Sequence, residues 1–241
     1  MRKLERKVAP KRNDKKNKKK QSQFDYMEVY RQLRTNIEYS SFNKDVKVVN
    51  ITSSNPAEGK SSVASNLATV SIAKYSKVLL IDCDLRKPVQ HKIYKVSNKV
   101  GISNLMKDTN DIDIDDERYF HKFKDNNVDG KLYVLTSGKS VPNPQELLAS
   151  DKFVRLINRF REKFDFIIID CPPLNAVVDA IPISNIADGT VFVTSAKDTD
   201  RREAKNALQM LQRNGANVLG SVLTKVDRTS KPHYTYYENY E

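Results

Sequence analysis

The fold is decided by residues 46–68, VKVVNITSSNPAEGKSSVASNLA. The stretch opens with a β-branched apolar run, 46–53, which reads as a buried strand. It continues through a polar turn and enters a helical pattern from Lys60 to about Lys74, with Val63, Leu67, Val70 and Ile72 as the apolar positions. Between strand and helix lies SSNPAEGKSS (53–62), which fits the phosphate-binding pattern G-x-x-x-x-G-K-[ST] with Ser54 in the first glycine's place. Backbone N–H groups of such a loop wrap phosphate oxygens, and the helix N-terminus adds a favourable dipole. Ser54, Asn55, Pro56, Ala57, Glu58, Gly59, Lys60, Ser61 and Ser62 are therefore the candidate nucleotide-binding residues. Lys60 would neutralise phosphate charge, and the Ser61 hydroxyl can ligate Mg²⁺. Ser54 and Ala57 are unusual in a loop that would welcome glycine.

Outward from this unit, strand and helix patterns alternate. Further strands are expected at 77–82 (KVLLID), 132–138 (LYVLTSG), 165–170 (DFIIID), 189–196 (GTVFVTSA) and 217–225 (NVLGSVLTK). Helices are expected at about 145–163, 179–187 and 201–214, with a short one at 102–107. An amphipathic helix is expected over 24–42 from the spacing of Phe24, Met27, Tyr30, Leu33 and Ile37. The strands are continuous apolar runs, as in a sheet buried on both faces. The expectation is one α/β domain over 24–227: a P-loop NTPase-like, mostly parallel sheet with helices on both faces. Its ligand site should lie at the carboxyl ends of the strands. Residues 89–131, with the acidic stretch DTNDIDIDDE (108–117), read as surface excursions, and no internal repeat is visible.

Two of those strand ends carry acids. LLIDCDLRKP (79–88) places Asp82 and Asp84 two residues apart, facing the same way on an extended chain. Paired carboxylates repel unless a cation or proton lies between them, and Mg²⁺ would supply the cation. FIIIDCPP (166–173) ends in Asp170, four apolar residues followed by an acid, the usual place for a carboxylate that holds Mg²⁺. Alone, the pair Asp82 and Asp84 would read as loop-capping aspartates; beside a P-loop it reads as a metal site. Ser61, Asp84 and Asp170 are the candidate metal ligands. LTKVD (223–227) is similar to the guanine-reading N-K-x-D loop with Thr224 in place of Asn, which leaves the base ambiguous from these residues.

The formal charge is +12, but eleven Lys or Arg against Glu5 and Asp14 place +9 of it in residues 1–20 and leave +3 for the rest. Residues 1–23 are expected to be a disordered basic tail, able to meet anionic lipid, acidic protein or nucleic acid, or simply to solubilise. Two cysteines, Cys83 and Cys171, exclude a disulfide framework. There is no apolar run of membrane-spanning length and no signal-peptide h-region, so the chain reads as cytosolic. The other end, 228–241, closes in HYTYYENYE, with Tyr234, Tyr236, Tyr237 and Tyr240 outside any core pattern.

Taken together, SSNPAEGKSSVASNLA, LLIDCDLRKP and FIIIDCPP resemble the bacterial tyrosine kinases, a branch of the MinD/ParA-like P-loop ATPases. EVYRQLRTNI (28–37) is similar to the family's E-x-x-R-x-x-R segment through Glu28, Arg31 and Arg34, and GKSVPNPQELL (138–148) to its P-x-N-P-x-E-L-L segment. The resemblance covers roughly residues 24–241. It implies ATP and Mg²⁺ as cofactors and transfer of a phosphoryl group to tyrosine, with Lys60 and Asp82 catalytic and Tyr234, Tyr236, Tyr237 and Tyr240 as acceptors. It also implies a homo-oligomeric ring, an octamer, assembled through Glu28, Arg31 and Arg34; their spacing alone supports only a solvated, ion-paired helix face. The stand-alone form of the family implies a membrane-anchored activator or polysaccharide co-polymerase as partner. It further implies a cognate tyrosine phosphatase, a place at the inner face of the cell membrane, and control of capsule or exopolysaccharide synthesis. No nucleic acid partner is expected. The competing reading is a MinD/ParA-like ATPase that cycles between assembly states and phosphorylates nothing; it leaves the tyrosine cluster unexplained.

Overall fold

A computed structural model describes residues 14–40, 45–107, 113 and 115–227, with side chains described from Tyr26 onward. Along the chain run α1 (Asp14–Tyr39), β1 (Val48–Ser53), α2 (Lys60–Ser71), β2 (Lys77–Asp82), α3 (Gln90–Ile93) and α4 (Ile102–Leu105). There follow β3 (Phe120–Lys124), β4 (Lys131–Leu135), α5 (Pro144–Leu148), α6 (Asp151–Lys163) and β5 (Phe166–Asp170). The last elements are α7 (Ala180–Ile186), β6 (Gly189–Ser195), α8 (Arg201–Arg213) and β7 (Val218–Thr224).

The seven strands form one sheet in the order β3-β4-β2-β5-β1-β6-β7. Only β3 runs antiparallel, against β4; the other pairings are parallel. Central β1 and β5 are buried at every position; β5 is apolar up to Asp170, while β1 also buries Asn50, Thr52 and Ser53. One face of the sheet packs a cluster that includes Phe153, Phe160, Phe164 and Phe120. The other packs Val63 and Leu67 of α2 with Tyr30 and Ile37 of α1. The chain leaves β1 toward β2 on one side, and β6 later fills the other side. This reversal of strand order opens a crevice beyond the carboxyl ends of β1, β5 and β2.

The amino ends are tied down separately. Asp188, just before β6, accepts from the N–H groups of Lys47 and Val48 (2.9 and 2.7 Å) and from both terminal nitrogens of Arg161 on α6 (2.8 and 2.9 Å).

Three expectations need correction. Helix α1 begins at Asp14, ten residues before the expected start at Phe24, so the second half of the basic stretch is helical. Lys and Gln are good helix formers, and α1 continues without a break into its packed half. Disorder over residues 1–13 lies outside the described residues. The single helix expected over 145–163 is two, α5 and α6, because Ser150 caps α6 by accepting the Phe153 N–H. The excursion over 89–131 contains α3 and the edge strand β3. Among the described residues no helix is long and apolar enough to cross a membrane.

Candidate active site

The loop between β1 and α2 is built around a buried carboxylate. Glu58 is 1% exposed. It accepts from the Ser54 hydroxyl at 2.8 and 2.9 Å, from the Asn55 N–H at 2.9 Å, and from the Thr199 hydroxyl. Ser54 thus stands where glycine is usual because its hydroxyl has a buried acceptor. The turn then passes Ala57 (φ 64°) and Gly59 (φ 96°), both left-handed. At Gly59 a side chain would also approach Thr224 Cγ2 at 3.3 Å, so glycine suits on both counts. Gly59 caps α2, whose N-terminus faces the crevice.

A cavity of about 460 Å³ opens there, and it takes in Pro56, Ala57, Gly59, Lys60, Ser61 and Ser62 of the expected binding residues. Ser54, Asn55 and Glu58 are not on its wall: the Glu58 side chain points inward, so it shapes the loop. Across from the loop, Pro172, Pro173, Ala176 and Val177 form an apolar wall, and Asp84, Arg86, Lys87 and Val89 complete the rim.

The acids converge on Lys60. Its ammonium lies 3.1 Å from Asp84 Oδ2 and 3.8 Å from Asp170 Oδ1, and it donates to the Ser61 hydroxyl at 3.2 Å. Burial alone would lower the Lys60 pKa, but Asp170 and Asp84 outweigh it and hold the pKa above its ordinary value. Burial raises Asp170 above the usual carboxylate range. Asp82 is register-paired with Asp170 across β2 and β5. Burial, then the Asp170 charge, pushes it up to about 8. Asp82 lies beneath the cavity and off its wall. Its oxygens accept from the N–H groups of Asp84 (3.2 Å), Val89 (3.0 Å) and Gln90 (2.9 Å).

These groups suit Mg²⁺. Asp84, Asp170 and the Ser61 hydroxyl are hard oxygen donors at one locus, and Asp170 Oδ1 is buried without a hydrogen-bond partner. Among the described residues no three His, Cys, Asp or Glu side chains form a ready-made cage. Mg²⁺ needs none, since it is usually held by one or two carboxylates together with substrate phosphates and water.

Sequence reasoning missed Gln90, which is buried and donates to Asp170 Oδ2 (2.8 Å) and the Ser61 carbonyl (3.0 Å). It also missed Arg86, which donates two bonds to the Asp179 carboxylate (2.7 and 3.2 Å). The Pro-Val-Gln that follows LLIDCDLRK gave no signal, because these partners lie 80 and 93 residues away. Cys83 and Cys171 are fully buried, with both thiols raised by burial.

Glu28 and Arg31 pair at 2.8 Å on an exposed part of α1, with side chains 47% and 42% exposed. Arg34 departs from the solvated-face reading. Its side chain is 15% exposed, and it donates to the Val70 carbonyl at the end of α2 (2.9 Å) while lying 3.5 Å from Glu38. Tyr234, Tyr236, Tyr237 and Tyr240 lie outside the described residues.

With this geometry in hand, comparison with known proteins is specific. A family model described as an AAA domain, AAA_31, matches residues 46–214. The putative tyrosine-protein kinase CapB of Staphylococcus aureus is 38% identical over 214 residues, covering 88% of this chain and 90% of that protein. Tyrosine-protein kinase YwqD of Bacillus subtilis (strain 168) is 38% identical over 210 residues, covering 87% and 85%. The kinase domain of Escherichia coli tyrosine kinase ETK superposes with a TM-score of 0.75 at 29% identity, over 87% of this chain and 79% of that one. The chimerical protein CapA2B2 gives 0.72 at 34%, over 81% and 83%. MinD of Pyrococcus horikoshii OT3, solved with Mg-ADP, shares the fold at a TM-score of 0.57 and 21% identity, over 76% and 72%. A nucleotide-type P-loop, an acid-tipped parallel sheet and near full-length similarity agree: the chain belongs to the AAA_31 family and, within it, to the bacterial tyrosine-protein kinases.

Proposed function

We propose that this kinase transfers the γ-phosphoryl group of ATP to Tyr234, Tyr236, Tyr237 and Tyr240 of a neighbouring copy. The observation that carries the reading is a cavity in which the phosphate loop, Asp84 and an apolar wall face one another. The loop N–H groups and the α2 N-terminus would hold the phosphates, and Lys60 would move from its carboxylate partners onto them. Ser61, Asp84 and Asp170 would hold Mg²⁺, which when bound supplies positive charge to the phosphate oxygens and favours the ionised acids. Pro172, Pro173, Ala176 and Val177 offer a phenol ring an apolar surface. The bond from Pγ to the β,γ-bridging oxygen breaks as the Pγ–O(tyrosine) bond forms. The leaving electron pair stays on ADP, and the phenolic proton passes to water, or through water to Asp82, which lies off the cavity wall. The transfer needs alignment and charge stabilisation more than a strong base.

Around this chemistry we place a homo-oligomeric ring, an octamer in the family's pattern, with Glu28 and Arg31 on its contact surface and Arg34 bracing α1 on α2. A membrane-anchored activator or polysaccharide co-polymerase would hold the kinase at the inner face of the cell membrane, and a tyrosine phosphatase would reverse the modification. Control of capsule or exopolysaccharide synthesis is the output. The similarity to kinases named CapB and YwqD supports this placement.

The test is incubation of the purified chain with Mg²⁺ and labelled ATP, with and without the activator's cytoplasmic segment, followed by phosphotyrosine mapping. Label in peptide 228–241 is expected in the wild type and none in Lys60→Met. Phosphate release without label, with the activator present, would instead favour a MinD/ParA-like ATPase.

A further inference from the structure

Residues 85–99 contain no Asp or Glu, yet carry Arg86, Lys87, Lys92, Lys95 and Lys99, all exposed. Among the described residues, only Arg86 of these makes an ion pair, with Asp179. Hydrogen bonds fix where the segment lies. Val89 and Gln90 bond Asp82 at the end of β2. Tyr94 bonds Ser65 on α2 (3.0 Å), and the Asn98 side chain accepts from Ser137 and Gly138 just past β4 (3.1 and 3.0 Å). The His121 ring of β3 meets the Ser97 carbonyl at 3.2 Å. The segment therefore crosses the carboxyl edge of the sheet, from the cavity rim, where Arg86 and Lys87 stand, outward over β4 to β3. It is a basic track on the same edge as the phosphate loop. On the stretch that follows, Asp115 pairs with Lys122 and Asp116 with Arg118.

We propose that this track is the docking surface for residues 234–241 of a neighbouring copy, with the acceptor tyrosine in the cavity and the rest of the segment laid along the lysines. The proposal rests on the tyrosine-transfer reading above. Segment 234–241 has Glu238 and Glu241 and no basic residue, and every phosphate adds about −1.5 to −2 charge. Its length suits the track. With Tyr234 in the cavity, the seven following residues extend about 23 Å, against roughly 10–15 Å for two to three strand spacings outward from β2. A flat anionic membrane fits the same charge less well, since it would cover the cavity mouth that the track borders.

The test uses the full chain with its four tail tyrosines changed to Phe, so that only an added peptide of residues 233–241 can accept phosphate. Lys92→Glu, Lys95→Glu and Lys99→Glu are combined; none lines the cavity. Peptide KM is expected to rise about tenfold or more, the scale of electrostatic steering, and peptide binding by fluorescence anisotropy should weaken likewise. Nucleotide hydrolysis without peptide and the melting temperature should be unchanged. Lys→Gln at the same three sites should give an intermediate loss, and a Glu238→Gln, Glu241→Gln peptide should bind both proteins similarly. Unchanged peptide binding and KM in the triple variant would overturn the docking surface while leaving the kinase reading intact. So would loss of binding only to phosphatidylserine vesicles. Absence of peptide phosphorylation by the parent chain at normal hydrolysis would instead strike the kinase reading, and the anisotropy arm would still decide docking.

Discussion

Replacing Ser54 by Gly restores the common residue at the first position of the phosphate-loop pattern, and the structure says this should harm the protein. The Ser54 hydroxyl donates to both oxygens of the buried Glu58 carboxylate (2.8 and 2.9 Å), which also binds the Asn55 N–H and the Thr199 hydroxyl. Hydrogen bonds to a charged group contribute about 1.5–3 kcal/mol each. Glycine removes this one and adds backbone freedom to the unfolded chain, worth roughly 0.5–1 kcal/mol. The expected loss is thus about 2–4 kcal/mol. Ser54→Ala should lose the first part only, about 1.5–3 kcal/mol. At a urea slope near 2–3 kcal/mol/M, the glycine variant's midpoint should fall by about 1 M. ATP should also bind more weakly, because a loosened loop must be ordered on binding; about 1.4 kcal/mol of that ordering is a tenfold change in Kd. Equilibrium urea unfolding and ATP titration of wild type, Ser54→Ala and Ser54→Gly check the ranking. A glycine variant as stable as wild type, or binding ATP more tightly, would refute the claim that Glu58 holds the loop in shape.

Asp188→Asn should cost about 1.5–3 kcal/mol at pH 7 through weakened bonds to Arg161 and to the Lys47 and Val48 N–H groups. Burial alone would raise the Asp188 pKa, but Arg161 and the two N–H groups outweigh it and hold it low. Its stabilisation is therefore full above the unfolded value near 4 and is lost as pH falls through the folded pKa, so urea midpoints of variant and wild type should converge in acid. Gly101→Ala would place a Cβ 2.2 Å from the Thr136 carbonyl and 2.4 Å from the Gly138 N. A loss of about 1–3 kcal/mol, or about 2–4 °C in melting temperature per kcal/mol, should appear by calorimetry. If transfer loosens the assembly through charge repulsion between tails, wild type should shift to smaller species with ATP in light scattering. A variant with all four tail tyrosines changed to Phe should not shift, and equal behaviour of the two would end that idea.

Much of the framework was legible because it is written in short, local patterns. The runs at 48–53, 77–82, 166–170 and 189–195, rich in β-branched and apolar residues, are strands buried at nearly every position, which leaves no room for alternation. The phosphate loop and Asp82, Asp84 and Asp170 announce themselves by position at strand ends. What was hidden depends on distant partners. The edge strand FHKFK (120–124) alternates with charge and looked like an excursion. The split between α5 and α6 turns on one serine hydroxyl, and Arg34 looked solvated because nothing near it in sequence names the Val70 carbonyl. Glu58 did leave a trace: a serine where glycine is usual needs an acceptor, and a loop glutamate four residues on could supply one.

The fold cannot choose between tyrosine and water as the phosphoryl acceptor. One fold hosts more than one chemistry, and the chemistry is set by the site. The choice must come from features that an acceptor touches. A water molecule needs only a polar position beside the γ-phosphate. A phenol needs an apolar surface for its ring and, when carried on a peptide, a place for the flanking residues. The cavity provides the first through Pro172, Pro173, Ala176 and Val177. The acid-free run from Arg86 to Lys99 provides the second, in the sign that suits YENYE. Changing each separately should separate their effects: Val177→Asp should reduce tyrosine transfer while leaving peptide binding along the lysines measurable. Reversing Lys92, Lys95 and Lys99 should weaken binding while leaving kcat at saturating peptide close to wild type. Coupled loss of both quantities in both variants would mean that ring and flank are not read by separate surfaces.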